Sequence, residues 1–375
     1  MVFHHWVTRL RRHRIMDQQT KNRLYLLGRP LSPLYGSAMK ARAWFYRKGI
    51  FKQHRLNVPV VSVGNLTMGG TGKTPFIIYL ARLLGERGFK PAIVCRGYRG
   101  KSRAPVNIVC DGEQLLMTSR DAGDEPVLMA RKLPTAIVAT GRRRALPARQ
   151  AVEAYRADLI LLDDGFQHLS LYRDIDLVLF DIDHFAGNSR VFPGGELREP
   201  VTALSRCDAF VLTGLREDNQ DRAASIEQLL LEKFPDKESF RLSRSFSSCI
   251  RYDFNGPSLD MKKIDMTDVD PKLFAFSGIA HPERFYRMLE SSGCDVMATR
   301  DFGDHHAYRQ KDISLICEEA RKNCCSALIT TEKDMVKFDS SHRFSLPIFT
   351  PVLEYAVHEG LLEFITHRIC QRKND

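Results

Sequence analysis

No run of about 18 apolar residues occurs in this chain of 375 residues, so no segment reads as a membrane-spanning helix. No secretory signal is evident either, since the first residues are rich in Arg and His and lack a continuous apolar core. None of the nine cysteines forms a Cys-x-x-Cys pair, and adjacent Cys324 and Cys325 are badly spaced to share one tetrahedral metal. This argues against a structural zinc or a disulfide framework, and for reduced thiols in a cytosolic protein. Acids are nearly missing from one end. Residues 1–55 hold thirteen Lys and Arg against one acid, Asp17, a balance of +12 in a chain whose formal net charge is +11. The other 320 residues therefore carry about −1, and the basic character belongs to one end, which seeks an anionic surface, membrane or nucleic acid. Internal repeats and low-complexity tracts are also absent.

What is present suits a globular protein: 43% hydrophobic and 27% charged residues, in a chain long enough for two domains. The organising stretch is Val58 to Thr74, an apolar run followed by a glycine-rich turn that ends in Gly72-Lys73-Thr74. Beyond it Phe76, Ile77, Leu80, Leu83 and Leu84 recur at helical spacing. This is a buried strand, a loop and a helix, a unit whose loop N–H groups and helix N-terminus make an anion site. Thr67, Met68, Gly69, Gly70, Thr71, Gly72, Lys73 and Thr74 fill the phosphate-loop pattern G-x-x-x-x-G-K-[ST], with Thr67 standing where the pattern has Gly. Lys73 can reach the β- and γ-phosphates of a nucleotide, and the Thr74 hydroxyl can hold Mg²⁺. The plainer alternative is a Gly-rich turn between a strand and a helix.

Along the chain, Ser32-Pro33 reads as an N-cap and first helical position, with Leu34, Ala38, Ala41 and Phe45 forming one stripe amid basic residues. Such a basic amphipathic helix, with Trp44 and Tyr46 beside it, suits a membrane interface or packs on the main domain with a solvated basic face. Phe3, Trp6, Val7 and Leu10 share a helical face among arginines; residues 1–19 read as an extension, with Met16 a candidate second start. Strands at 91–95, 135–139, 159–164, 176–181 and 207–214 alternate with helical patterns. This predicts a doubly wound, mainly parallel sheet with ligands at the carboxyl ends of its strands. A helix is expected over 217–234, then a polar stretch making an antiparallel connection, then a second βα series from 273. The expected division is a basic N-terminal segment 1–55, a nucleotide-binding domain 56–225 and a smaller α/β domain 226–375, with a hinge near 215–250.

Phosphoryl transfer needs a phosphate cradle, a metal ligand, a positioned nucleophile and charge neutralisation. Asp163 or Asp164, ending the apolar run LILLDD, is the natural second metal ligand; a turn at Asp164-Gly165 is equally compatible. In DAGDEP, Asp124 and Glu125 are either acids at a helix start or a base that takes a hydroxyl proton. In FGDHHAY, a His beside an Asp is a satisfied turn or the partner of such a base. Arg142, Arg143, Arg144 and Arg198 suit bidentate contact with phosphate oxygens, or lie on a solvated face.

Taken in order, VGNLTMGGTGKTP, CRGYRG, GDEP, GRRRA, LDDGFQH, LREP, FGDHH and TTEKD resemble the tetraacyldisaccharide 4′-kinase family, the lipid A disaccharide kinases of Gram-negative bacteria, from about residue 20 onward. The resemblance implies a P-loop NTPase-like fold of two α/β domains joined by a hinge. It implies transfer of the ATP γ-phosphate to the 4′-hydroxyl of a tetraacylated disaccharide 1-phosphate, giving lipid IVA. It further implies a peripheral protein on the cytoplasmic face of the inner membrane. Carried over by motif, Lys73 and Thr74 hold ATP and Mg²⁺, Asp163 and Asp164 sit at the metal, and Asp124 is the base with His305, rather than His306, as partner. Arg144, Gln167, His168, Arg198 and Glu199 would line the cleft, Glu199 among the metal ligands, and Arg96 and Tyr98 would lie near the lipid headgroup. Because phosphoryl transfer is often loose, the base would mainly orient the hydroxyl. An anionic, acylated substrate gives the basic end its reason, an anionic membrane surface.

Two rival classes were weighed. A GTP-driven switch or metal-insertion NTPase would read guanine through N-K-x-D, whereas the closest stretch here, Thr331-Glu332-Lys333-Asp334, has Lys and Asp adjacent and no Asn. A nucleic-acid-binding ATPase would spread basic residues over its nucleotide domain and carry a reader module, and neither is present. The expectation is therefore a kinase with no nucleic-acid partner, acting as a monomer. Deleting residues 1–31 is expected to weaken association with anionic lipid vesicles, measured by co-sedimentation; unchanged partitioning would remove the membrane role of the basic end.

Overall fold

The computed structural model describes residues 18–254, 260–269, 272–339, 342–356 and 358–374. The possible helix at Phe3–Leu10, Met16 and Asp17 thus lie outside the described residues. Two helices come first, α1 (Gln18–Gly28) and α2 (Ser32–Arg47). The phosphate-loop unit follows as β1 (Val60–Gly64) and α3 (Lys73–Glu86), then β2 (Pro91–Cys95), β3 (Asn107–Asp111), α4 (Ser119–Ala122) and α5 (Asp124–Lys132). Next come β4 (Ile137–Thr140), α6 (Ala145–Tyr155), β5 (Leu159–Asp163), β6 (Ile175–Asp181), β7 (Ala209–Leu215), α7 (Gln220–Lys233) and β8 (Glu238–Asp253). The remainder is β9 (Asp260–Ile264), β10 (Leu273–Ser277), α8 (Pro282–Ser291), β11 (Val296–Asp301), α9 (Gln310–Lys322), β12 (Ala327–Ile329), α10 (Glu332–Met335), β13 (Ile348–Tyr355) and α11 (Glu359–Asn374).

The described strands join in one sheet of order 11-10-12-13-8-7-6-1-5-2-4-3, with β9 paired to β8. Pairing is parallel except β3 on β4 and the β8 contacts with β9 and β13. β1 is central, flanked by β5 and β6, so the phosphate loop leaves the middle of the sheet, with the ends of β5 and β6 beside it. Helices cover both faces. α3 and α5 pack Phe76, Leu80, Leu84, Val127 and Met129 on one side of the β1–β5 region, and α6 packs Ala145, Ala148 and Ala151 on the other. The doubly wound expectation therefore holds, and the sheet is mixed rather than uniformly parallel.

β8 is the strand that joins two sheet halves. Its first part, Glu238–Ser243, runs parallel to β7, and its second part, Arg244–Tyr252, runs antiparallel to β13. The polar stretch read as an antiparallel connection is this long strand with β9, and its polarity follows from its many half-exposed and exposed positions. The expected boundary at 225/226 falls inside α7, whose Ala223, Ile226 and Leu230 pack with Phe180, Phe210 and Leu212 of the first half. α11 also returns to the first half, placing Leu361, Leu362, Ile365 and Ile369 against Val61, Leu161 and Leu177. The residues forming their own second core run from β8 to β13.

α2 differs from expectation in detail. Ser32 does not cap the helix; its hydroxyl donates to the Val191 carbonyl at 2.8 Å and accepts from the Gly194 N–H at 2.8 Å. Leu34, Ala38 and Ala41 face solvent, while Gly36 is the buried residue of α2. Ile365 is fully buried under the central strands. Ile365→Ala is expected to destabilise the whole first half by about 2–5 kcal/mol, read from urea-unfolding midpoints, because it leaves a cavity under β1.

Candidate active site

The loop after β1 is pinned on both flanks. Its first part is held by the 196–198 segment: the Arg198 N–H donates to the Leu66 carbonyl at 2.8 Å and the Met68 N–H to the Glu196 carbonyl at 2.7 Å. Thr67 forms an isolated bridge with Leu197 in extended backbone, which any residue can adopt, so no glycine is required there. Its last part is held by the second half. Arg284 Nη1 donates to the Gly70 carbonyl at 3.0 Å and to buried Asp181 at 2.9 Å, and the Tyr355 hydroxyl donates to the Gly72 carbonyl at 3.3 Å. Gly72, at φ +81°, caps α3, and a Cβ there would stand 2.9 Å from the Tyr355 hydroxyl, so both backbone and space demand glycine. Lys73 is the first residue of α3 and folds back across the loop, with Nζ 2.9 Å from Asn65 Oδ1 and 3.4 Å from Asp164. Thr74 lies in the same first turn.

The two acids after β5 have separate environments. Asp164 steps off the strand at φ +52° and accepts from Arg198 Nη1 at 2.7 Å. Burial works to raise its pKa, but Lys73 and then Arg198 outweigh burial and hold it well below the usual carboxylate range. Asp163 is buried and its Oδ1 has no hydrogen-bond partner. Burial, then the charges of Glu125 and Asp164, push it up to about 7. Gly165, the next residue, leaves no room for a side chain, since a Cβ would lie 2.5 Å from Ser62 Oγ.

The cleft residues of the FQH and GRRRA motifs lock together behind these acids. Gln167 Nε2 donates to the Asn65 carbonyl at 3.0 Å. Arg144, nearly buried, donates to the Asp163 carbonyl at 3.3 Å and to His168 Nδ1 at 3.3 Å. His168 Nε2 then donates to the Ser170 hydroxyl at 3.0 Å. Burial, followed by Arg144 and Arg173, drives His168 down to about 3, so it is neutral and serves to orient Arg144. Glu199, expected at the metal, accepts from Arg206 at 2.9 Å through Oε2, keeps a buried Oε1 without a partner, and lines a cavity of about 340 Å³ beneath α2 with Arg47, Arg173 and Trp44. Among the described residues no three His, Cys, Asp or Glu side chains gather as a metal-binding group.

The acid and histidine far apart in sequence meet across the two halves. Asp124 opens α5, with Gly123 at φ +98° before it, and its Oδ2 accepts from His305 Nδ1 at 3.2 Å. His305, at φ +59°, is turned to the first half, while His306 bonds Asp312 of the following helix α9 at 3.3 Å and packs on Phe302. That separates the two histidines. Tyr98 is exposed, its ring 6.2 Å from that of His305; Arg96 is exposed, and its charge helps lower Arg144 and His168 after burial. The charge of Glu125 reaches Asp163, so the start of α5 and the end of β5 are neighbours.

Sequence reading missed Asn65, Lys333, Lys337, Arg284 and Tyr355 as site residues. The signal for Lys333 lay in TTEKD, a motif that entered the family resemblance and failed to match a guanine reader, with no role given to its lysine. The contacts of Arg284 and Tyr355 with the loop span more than 200 residues and leave no local trace.

A family model described as tetraacyldisaccharide-1-P 4′-kinase matches residues 24–370. The tetraacyldisaccharide 4′-kinase of Desulfotalea psychrophila is 46% identical over 332 residues, covering 88% of this chain and 93% of that protein. That of Syntrophus aciditrophicus is 40% identical over 331 residues, covering 86% of each. The crystal structure of the "apo" form of LpxK from Aquifex aeolicus in complex with ATP superposes with a TM-score of 0.71 at 30% identity, covering 91% of this chain and 97% of that one.

Asp163 gives a test by pH. Its folded carboxyl binds a proton more tightly than an unfolded one, so its stabilising contribution is present below the unfolded range near ~4 and is lost as pH rises through about 7. Without nucleotide or metal, Asp163→Asn is expected to raise stability at about pH 8 by on the order of 1–3 kcal/mol, with the gain shrinking toward about pH 5. Urea-unfolding midpoints at the two pH values check this.

Proposed function

This chain belongs to the tetraacyldisaccharide 4′-kinase family, and from that premise we propose that it transfers the γ-phosphoryl group of ATP to the 4′-hydroxyl of an acylated disaccharide 1-phosphate, forming lipid IVA. The carrying observation is the meeting of two requirements: a glycine turn with Lys73 at a helix N-terminus, and a carboxylate–imidazole pair, Asp124 and His305, contributed by the opposing halves. The oxygen of the acceptor hydroxyl bonds to the γ-phosphorus, the bond to the β–γ bridging oxygen breaks, ADP leaves, and the hydroxyl proton passes to Asp124. Lys73 and the loop N–H groups of residues 67–74 bind phosphate oxygens, with the α3 dipole adding to their field. Arg144 and Arg198 offer further guanidinium charge, and Gln167 and His168 hold the segment that carries them.

Magnesium fits the residues present. Asp163 has a buried carboxylate oxygen without a partner, at the end of the strand next to β1, and Thr74 offers a hydroxyl in the first turn of α3. One or two protein oxygens suffice, because magnesium takes its other ligands from phosphates and water. When bound, the ion supplies charge neutralisation on the phosphates. Asp164 is the less available of the pair, since Lys73 and Arg198 already hold it.

No helix among the described residues is long and apolar enough to cross a membrane. Peripheral attachment to the anionic cytoplasmic face of the inner membrane is supported by exposed Leu24, Leu26 and Leu27 of α1, Leu31 of the connection and Leu34 of α2. Leu27 and Leu34 are 76% and 71% exposed, and Lys40, Arg47 and Lys48 follow them. Tyr98, also exposed, and Arg96 are suited to the headgroup of the acceptor.

The test is an ATP-dependent assay on the acylated disaccharide 1-phosphate read by mass, where the product gains one phosphate on the distal sugar. Asp124→Ala is expected to lower kcat by roughly 10²–10⁴-fold with little change in KM for ATP. A loss confined to ATP binding would remove the base assignment, and no phosphate gain by the intact protein would remove the substrate assignment.

A further inference from the structure

We propose that Lys333 is a positioning residue for the transfer, confining the His305 proton to Nδ1 by donating to Nε2 and thereby aiming the imidazole N–H at Asp124. Lys333 Nζ lies 3.1 Å from His305 Nε2, and His305 Nδ1 lies 3.2 Å from Asp124 Oδ2. An ammonium group has donors and no acceptor, so the ring nitrogen facing it must be bare. A neutral imidazole carries one proton, which must then sit on Nδ1, where the carboxylate is the acceptor. The geometry thus selects one tautomer and makes Asp124, not His305, the group with a lone pair left for an incoming proton.

Lys333 is itself held. Glu125 lies 3.2 Å and Asp304 3.5 Å from its ammonium, and Asp304 also stands 3.8 Å from His305 Nε2. Burial works to lower the Lys333 pKa, but Glu125 and Asp304 outweigh it and keep the ammonium charged. On the other side of Asp124, Lys337 Nζ stands 3.8 Å away and is anchored 2.8 Å from Asp334. Asp334, fully buried, accepts from the Gly278 N–H at 2.9 Å and from the Thr331 hydroxyl at 2.7 Å. The His305 N–H donates to the Gly278 carbonyl at 3.0 Å. The short helix α10 and the 303–306 loop are therefore one hydrogen-bonded unit, which presents Lys333 to one ring nitrogen of His305 and turns the other to Asp124 of α5. Lys132 and Glu332, 2.6 Å apart, close the same seam beside it.

The inference rests on the assignment of Asp124 as base, yet its central claim is read in the resting protein. With histidine labelled in ¹⁵N, the imidazole of His305 is assigned by its loss in His305→Gln. The wild type is expected to show a protonated Nδ1 and a bare Nε2. Lys333→Met is expected to return the ring to the Nε2–H form, to lower kcat by about tenfold or more, and to leave KM for ATP within about twofold. Lys333→Arg, which keeps a cation there, is expected to retain most of the rate, and the folded fraction of each variant is followed by circular dichroism. A protonated Nε2 in the wild type, or a tautomer unmoved in Lys333→Met, overturns the proposal. An unimpaired Asp124→Ala enzyme would overturn the base reading while leaving the tautomer result to stand.

Discussion

One strand carries hydrogen bonds to both halves of this molecule. β8 pairs with β7 through Glu238–Ser243 and with β13 through Arg244–Tyr252, so the two halves share a backbone ladder rather than a loose tether. The contacts that join the halves at the site cross the line this strand defines. Arg284 and Tyr355 reach from the second half to the carbonyls of Gly70 and Gly72, and His305 reaches Asp124. A rotation about β8 would move both sets of contacts together. The glycine-rich loop and the Asp124–His305 pair thus share one line of contact.

The chemistry along that line is electrostatic. The site gathers Lys73, Arg144, Arg198, Lys333 and Lys337 around Asp124, Asp163 and Asp164, and most of these groups already neutralise one another. Asp163 is the exception, with burial raising it and a carboxylate oxygen unanswered. The paired groups show which charges are spoken for, and of these acids Asp163 has acceptor capacity to spare. Two protein oxygens would be enough for a magnesium ion that also takes phosphate and water ligands.

The legible parts of the fold were those with local cause. β1, β2, β5 and β6 are apolar runs because both their faces are covered, and α3 follows from its helical repeat. Gly72-Lys73-Thr74 and the acids ending β5 were visible for the same reason. β13 was not, because Pro351 interrupts its pattern while pairing with Cys249 in the ladder. β3 is short and half-exposed and gave no signal. Asp124 and His305 were singled out separately, and their pairing came only from family resemblance, because they stand 181 positions apart in the chain. Glu199 also came only from that resemblance; its carboxylate meets Arg206 through one oxygen and keeps the other buried and without a partner.

α11 fills the groove beneath β1 with Leu361, Ile365 and Ile369, and its Arg372 bonds Asp174 at 2.6 Å. A helix made after both halves of the sheet therefore finishes the interior of the first half. Until that helix has emerged from the ribosome, the apolar underside of the first half stays uncovered, and in the interval that surface is where a chaperone would have to act.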